Sequence, residues 1–218
     1  GLLSLVVKPN AATPTVETFA ATTGTLPTSA ARLIGLYRGR LVLGGDADDP
    51  YNWHMSKSGD PYDWDTAPAT TTRLDAISGN NSTVGLIGDR MTAIIPFADD
   101  VCIFGGDSSI WAMTGDPADG GSIDQISSAT GIVFGKAWAL DPQNNVYFVG
   151  IDGVYIMRPT GQPESITDVI IKQRIESIDL NTYTFHLEWD FRQQGLYMLI
   201  RSKDYTEYLE SWFWDQRT

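Results

Sequence analysis

One short acidic run contains the residues whose type and spacing most suggest chemistry. Asp46, Asp48 and Asp49 fall within four consecutive positions, next to a pair of glycines. Alternating carboxylates in a turn can converge on a hard cation such as calcium. The run lacks the twelve-residue loop, the central glycine and the distal glutamate of an EF-hand. We therefore predict a solvated hairpin tip at this position and no metal site.

Other catalytic side chains are sparse in the sequence. The two histidines, His54 and His186, lie far apart on different predicted strands, and Cys102 is the only cysteine. A single cysteine excludes an internal disulfide and a multi-thiolate metal site. No G-x-S-x-G, Walker or G-x-G-x-x-G motif occurs. A carboxylate pair for glycoside hydrolysis stays open, because the 27 acidic residues do not single one out. We predict a protein that is not an enzyme and needs no cofactor.

Four repeats must position these residues. In each repeat an apolar strand leads into a tight turn and then into a second strand that carries an aromatic residue. The copies occupy residues 38–56, 99–116, 144–161 and 193–215. Repeats of this kind, about 45–60 residues long, are typical of propeller blades. The predicted fold class is all-β, a β-propeller-like array of about four antiparallel blades.

A further strand precedes each hairpin. These strands are predicted over residues 32–37, 91–97, 136–140 and 183–189. In the last of them Tyr183, Phe185, Leu187 and Trp189 alternate with polar residues, as one face of a strand would. Three antiparallel strands per repeat, with a fourth drawn from the linking segment, make one propeller blade.

One linking segment predicts a short helix, near residues 168–178. Apolar residues at 171, 175 and 178 fit a helical stripe. Thr167 or Asp168 would cap its N-terminus.

Composition divides the chain into two parts. Residues 1–8 read as a short strand, and residues 9–30, rich in Thr, Ala and Pro, as an extended arm or linker. Residues 31–218 then form the propeller-like domain. The sequence begins without Met and reads as a strand entered in mid-protein, so we expect that it is a fragment or a processed piece.

Charge limits the possible partners. The formal net charge of −12 argues against binding nucleic acid through its phosphates, which needs a basic face. A negative wall would nevertheless suit a conduit through which DNA slides without sticking. No apolar run approaches 18 residues, so we predict no membrane span.

Aromatic residues supply the candidate interaction residues. Seven tryptophans exceed what one small core needs and would suit subunit contacts, although all seven could equally fill blade cores. A sugar-binding platform would need exposed rings beside Asp or Asn, which only Tyr51–Trp53 and the 60–64 segment offer. The predicted interaction residues are Tyr51, Trp53, Trp64, Trp212 and Trp214.

Residues 56–64 loosely resemble the Asp-box of sialidase-type propellers. The segment pairs Ser56, an acidic turn and Trp64 at short spacing, although Ser58 stands where the box has its Asp. In that family the box is a structural hairpin lock and takes no part in catalysis. The resemblance therefore implies a propeller and not a hydrolase.

A second resemblance covers most of the chain. An ordered series of segments is similar to tail and neck structural proteins of tailed bacteriophages, especially the nozzle (tail-tube) proteins of short-tailed phages. The segments are residues 40–45, 52–64, 94–97, 101–113, 131 and 146–157.

This resemblance implies a non-enzymatic component of the virion tail. Its copies would form a homo-oligomeric ring around the DNA exit channel and contact other tail and neck proteins. Genomic DNA would pass through the channel without specific binding. The alternatives are a carbohydrate- or receptor-binding propeller and, third, a hydrolase propeller with acidic side chains at the mouth of its channel.

Overall fold

The computed structural model describes residues 5–8, 15–26, 31–159, 161–167 and 169–215. The strands of its first half are β1 (Leu5–Lys8), β2 (Thr15–Thr18), β3 (Thr23–Gly24), β4 (Leu33–Tyr37), β5 (Arg40–Gly44), β6 (His54–Met55), β7 (Asp63–Trp64), β8 (Ile77–Ser78) and β9 (Met91–Ala98). Those of its second half are β10 (Val101–Gly106), β11 (Ile110–Thr114), β12 (Ser122–Ser127), β13 (Trp138–Leu140), β14 (Val146–Gly150), β15 (Gly153–Met157), β16 (Glu164–Ser165), β17 (Tyr183–Asp190), β18 (Gly195–Ser202) and β19 (Tyr208–Asp215). Helix α1 spans Val169–Glu176.

Four antiparallel sheets are arranged as a four-bladed β-propeller, as the repeats predict. Blade 1 has the strand order β4-β5-β6-β8, and blade 2 consists of β9 to β12 in sequence order. Blade 3 consists of β13 to β16, and blade 4 of β17, β18 and β19. In the first three blades the fourth strand comes from the linking segment. Blade 4 has three strands among the described residues.

Three clusters of buried side chains join consecutive blades. The first lies between blades 1 and 2, the second between blades 2 and 3, and the third between blades 3 and 4. Strand β10 shows how one strand serves two clusters, because Cys102 and Phe104 face blade 1 while Ile103 faces blade 3. This follows from the alternation of side chains along a strand that is buried on both faces. None of the three clusters contains residues of both blade 1 and blade 4 in the described part of the chain.

The predicted helix is confirmed. Ile175 and Ile178 are buried in the cluster between blades 3 and 4, and Ile171 packs against it. The helix therefore covers the outer part of that interface with the side of its surface that the sequence marks as apolar. Asp168, one of the two predicted capping residues, lies outside the described residues.

The N-terminal segment is more regular than an arm. Strand β1 lies within residues 1–8 and pairs antiparallel with β2. Strand β3 pairs in parallel with β7 of the first repeat. Two short strands therefore lie in the 9–30 segment, for which the sequence predicted only extended chain. The ring of Phe19 stacks on Tyr62 with centroids 5.2 Å apart, which ties the segment to the region of blade 1.

Arg40 is a fully buried cation at the start of β5. Its guanidinium donates to the carbonyls of Ser56 (3.1 Å), Leu74 (3.2 Å), Asp75 and Arg73 (2.6 Å). Asp116, from the turn after β11, lies 3.5 Å away and balances its charge. Burial lowers the pKa of Arg40, and Asp116 opposes that shift. Arg40 thus holds the long loop of blade 1 against blade 2.

The Asp-box-like segment forms a compact turn. The Ser56 hydroxyl accepts a hydrogen bond from the Leu41 amide (3.0 Å), and Asp60 accepts one from the amide of Tyr62 (2.9 Å). Trp64 is buried and donates its indole N–H to the Pro61 carbonyl (2.8 Å). The polar residues therefore close the loop while the tryptophan fills the interior, the structural role that the resemblance implies.

Candidate interaction surfaces

Hydrogen bonds from nearby residues hold the carboxylates of the acidic run at residues 46–49. Asp46 is buried, and its carboxylate accepts a hydrogen bond from the amide of Asp48 (2.8 Å). The carboxylate of Asp49 accepts one from the Asn52 side chain (2.7 Å). The first residue of the run thus differs from the solvated tip that the sequence predicts. Across the described ranges, no group of three or more His, Cys, Asp or Glu residues could hold a metal ion.

The nucleophilic and basic side chains do not assemble into a site. Cys102 is buried, and burial raises the pKa of its thiol to about 12, so the reactive thiolate is suppressed. His54 lies in blade 1, and burial lowers the pKa of its imidazole. His186 lies in blade 4 beside Arg201, where burial and then the guanidinium lower its pKa. Cys102 lies in blade 2, so the three residues belong to three different blades.

Two of the five predicted interaction residues lie in the interior. Trp53 is fully buried in the cluster between blades 1 and 2 and donates to the Gly85 carbonyl (3.0 Å). Trp64 is buried in the turn described above. Neither side chain presents a surface to a partner. Tyr51, by contrast, is 47% exposed, and it stands at the surface without the two tryptophans that the sequence grouped with it.

Trp212 and Trp214 line an apolar groove beside the outer strand of blade 4. The groove has a volume of about 780 Å³. Its walls come from β19, from α1 and from the outer part of blade 3, and include Ile166, Ile170 and Ile171. At its rim, Arg174 of α1 forms an ion pair with Glu210 of β19. Trp212 is half-buried against the cluster between blades 3 and 4, and Trp214 is 36% exposed.

The face of blade 1 that points away from blade 2 exposes aliphatic side chains. Ile34 is 67% exposed and Leu36 is 65% exposed. Their neighbours on β4, Leu33 and Tyr37, point the other way and are buried against blade 2. Half-buried Leu43 lies opposite Ile34 in the register of β4 and β5, so it continues the apolar surface. This set, Ile34, Leu36 and Leu43, is the blade 1 face.

The face of blade 4 that points away from blade 3 exposes aromatic side chains. Tyr197 and Phe213 lie opposite each other on β18 and β19, with ring centroids 4.7 Å apart. Tyr197 is 40% exposed and Phe213 is 37% exposed, and half-buried Leu199 follows on the same side of β18. This set, Tyr197, Leu199 and Phe213, is the blade 4 face. The alternate residues of β18, such as Met198, are buried against blade 3.

Comparison with known proteins supports the fold alone. No family model and no curated protein matches the chain. A crystal structure of a structural genomics protein of unknown function from Bacteroides thetaiotaomicron is similar. The TM-score is 0.50 and the sequence identity 15% over 88% of this chain. The chain spans 45% of the length of that structure. In the part of the chain that the structure describes, no helix has the length and apolar character that a membrane span requires.

Proposed function

We propose that this protein is a non-enzymatic structural component of a phage virion tail, located in a nozzle or neck ring around the DNA exit channel. The observation that carries the proposal is the pair of exposed apolar faces at the two ends of the blade series. Large exposed apolar patches on a folded domain are typical of sites for protein contacts.

The two faces differ, which favours a head-to-tail contact between copies. The blade 1 face is aliphatic, with Ile34 and Leu36 at its centre, and the blade 4 face is aromatic, with Tyr197 and Phe213. If the blade 1 face of one copy packed on the blade 4 face of the next, the aliphatic side chains of the first and the rings of the second would both be buried. A head-to-tail contact generates a ring when its rotation closes. The resemblance of residues 31–160 to tail nozzle proteins adds the virion context.

The charge of the chain suits the inside of such a ring. A net charge of −12 repels the DNA backbone, so genomic DNA would pass without specific binding. Other tail and neck proteins would contact the ring above and below. A sugar-binding module remains the alternative proposal, but Trp53 and Trp64, two of the rings on which its platform depends, are buried.

The mass of the purified chain in solution tests the proposal. Light scattering is expected to give a discrete multiple of the 23.9 kDa monomer. The double variant Ile34→Asp/Leu36→Asp is expected to shift the chain to the monomer, because charges would enter the buried contact. Ile151→Asp supplies the matched control, since Ile151 is 64% exposed in the turn between β14 and β15, away from both faces. A wild-type monomer at all concentrations would contradict the ring.

The virion context needs a separate measurement. Tagged chain is expected to be captured into tail particles when it is mixed with disrupted tailed virions from its source, and the Ile34→Asp/Leu36→Asp variant is expected to be excluded. A chain that forms a ring but binds no virion component would contradict the tail assignment while leaving the head-to-tail contact in place.

A further inference from the structure

Arg201 is a cation beside the blade 4 face that has no counter-ion. It follows Tyr197 and Leu199 at alternate positions of β18, so it lies on the same side of the blade. One terminal nitrogen of its guanidinium lies 3.0 Å from Nε2 of His186, and its central carbon lies 3.9 Å from the centroid of the Tyr205 ring. In the described part of the chain no carboxylate forms an ion pair with it.

The neighbours of Arg201 leave its charge uncompensated. An arginine has no acceptor, so Nε2 of His186 accepts the hydrogen bond and the imidazole is neutral. Elsewhere in the same blade the carboxylate of Glu210 pairs with Arg174. The chain carries 27 acidic residues against 15 basic ones, yet this cation stands without one. A charge in this setting favours a contact with an anionic group of a partner.

The acidic run at residues 46–49 offers one free carboxylate. Asp46 is buried, and the carboxylate of Asp49 accepts from the Asn52 side chain. Asp48 is exposed, and its carboxylate accepts no hydrogen bond within the described ranges. Asp48 is therefore the member of the run that a partner can reach.

The run lies close to the blade 1 face. His54 stands opposite Leu43 in the register of β5 and β6, so the imidazole is on the side of that face. Burial lowers the pKa of His54, and the carboxylates of Asp49 and then Asp46 oppose the shift. The blade 1 face thus has an acidic border, whereas the blade 4 face has a basic one.

The packing within the chain predicts which ends of two blades meet. Gly44, the last residue of β5, lies against Met91, the first residue of β9. Gly106, the last residue of β10, accepts a hydrogen bond from the amide of Ile132, in the segment that leads into β13 (2.9 Å). At both junctions the end of the second strand of one blade therefore lies beside the start of the next blade.

The same rule would place Asp48 near Arg201 at a junction between copies. Arg201 is the last residue but one of β18, the second strand of blade 4. The next blade would be blade 1 of another copy, in which Leu33 begins β4 and pairs with Gly44. Asp48 follows Gly44 by four residues, at that same end of the blade.

We propose that Asp48 of one copy of this chain pairs with Arg201 of the next copy, at the border of the contact between the blade 1 face and the blade 4 face. The inference rests on the proposed ring, because it requires copies packed head to tail. Apolar faces provide most of the free energy of such a contact, while a charged pair at the border selects the partner and fixes the register.

Mixing two charge-reversal variants of the full chain tests the proposal. Arg201→Glu and Asp48→Lys are each expected to weaken assembly at least about tenfold in light scattering, because every contact would then join like charges. In an equal mixture, the blade 4 face of an Arg201→Glu chain can meet the blade 1 face of an Asp48→Lys chain. The reverse contact carries the two wild-type residues, so the mixture is expected to recover assembly.

Matched controls reverse charges at other exposed turns. Arg192→Glu lies between β17 and β18, at the opposite end of blade 4, and Asp99→Lys lies between β9 and β10 in blade 2. Both are expected to assemble as the wild type does. The double variant Arg201→Glu/Asp48→Lys restores opposite charges at every contact and is also expected to assemble. Recovery in the mixture shows at the same time that both single variants are folded.

The outcomes separate this inference from the proposed function. Recovery in the mixture supports the pairing between copies. Recovery in the double variant but not in the mixture overturns it in favour of a pair within one chain. A ring that tolerates Arg201→Glu and Asp48→Lys, or single losses that neither the mixture nor the double variant restores, overturns the pairing while the ring stands. A monomeric wild type contradicts the ring itself, and the contact with it.

Discussion

Blade 2 and blade 4 are built from the same alternating strands but have different surroundings. In blade 2, Phe104 packs toward blade 1 while Ile103, its neighbour on β10, packs toward blade 3. In blade 4, Met198 packs toward blade 3, but its neighbour Tyr197 remains 40% exposed. Both blades thus carry large apolar residues on both faces. The second face of blade 4 thus exposes in the described part of the chain the kind of apolar side chains that blade 2 buries on both faces.

Truncating the centre of blade 2 is expected to have the largest effect. Phe104→Ala removes a fully buried ring, which should lower the free energy of unfolding by about 4 kcal/mol. Phe213→Ala in blade 4 removes a partly exposed ring and should cost about 1 kcal/mol in the monomer. Urea denaturation followed by tryptophan fluorescence measures both. Equal losses would contradict the difference between the blades.

Removal of the buried cation beside blade 2 should rank next. Arg40→Met leaves several carbonyls of the blade 1 loop unpaired and should destabilise the fold by about 3 kcal/mol. The matched change at the edge of blade 4 is Arg174→Met, which breaks a partly exposed ion pair with Glu210 and should cost less than about 1 kcal/mol. Thermal unfolding of the two variants separates them. A stable Arg40→Met protein would show that the loop finds other donors.

The protection of backbone amides from hydrogen exchange should also differ between blade 2 and blade 4. This effect should be smaller than those of the substitutions above. Amides of β19 are expected to exchange with solvent at least about tenfold faster than those of β10, which is flanked by strands on both sides. Hydrogen exchange read by mass spectrometry of the dilute protein measures this ratio. Raising the protein concentration is expected to protect β19 selectively. Equal protection in dilute solution would mean that the edge is already covered within one chain.

The smallest expected effect is the change with pH in the free energy of unfolding that comes from Asp89. Burial raises the pKa of Asp89, but hydrogen bonds from Ser108, Ser109 and the Arg90 amide outweigh it and hold the pKa below its ordinary 3.8. The unfolded chain therefore binds this proton first. The stabilisation is complete above pH 4 and is lost as the pH falls through the lowered pKa of the folded state.

The variant Asp89→Asn isolates that contribution. It should be less stable than the wild type by about 1 kcal/mol at pH 7, and the gap should close below pH 4. Asp99→Asn, at an exposed turn of the same blade, is the control that matches its charge. Urea midpoints at a series of pH values measure the gap. A gap that stays constant into acid would contradict the lowered pKa.

The sequence predicted the strands and the helix well because the residue patterns that determine them are local. Strand β17 follows the predicted alternation, with Phe185, Leu187 and Trp189 buried in one cluster. The helix follows its apolar stripe through buried Ile175, and Ile178, two residues beyond its end, is buried in the same cluster. Both patterns arise within a few consecutive residues, where periodicity alone decides which side faces the interior.

Other features depend on partners distant in the chain, and the sequence missed them. Arg40 is buried because carbonyls of the 73–75 loop converge on it, and nothing near Arg40 indicates that loop. Trp53 lies beside a two-residue strand, too short for alternation to tell its interior side from its surface side. The sequence likewise did not predict that blade 4 has three strands among the described residues, because the number of strands depends on pairing and not on any residue within β19.

The three clusters between consecutive blades have a consequence for how the molecule can vary. Each blade is stabilised by its immediate neighbours, so the cost of a defect is largely local and does not spread evenly. A substitution that disturbs one junction is therefore expected to leave the packing of the other two junctions largely unchanged. The structural unit of this molecule is thus one blade together with one junction.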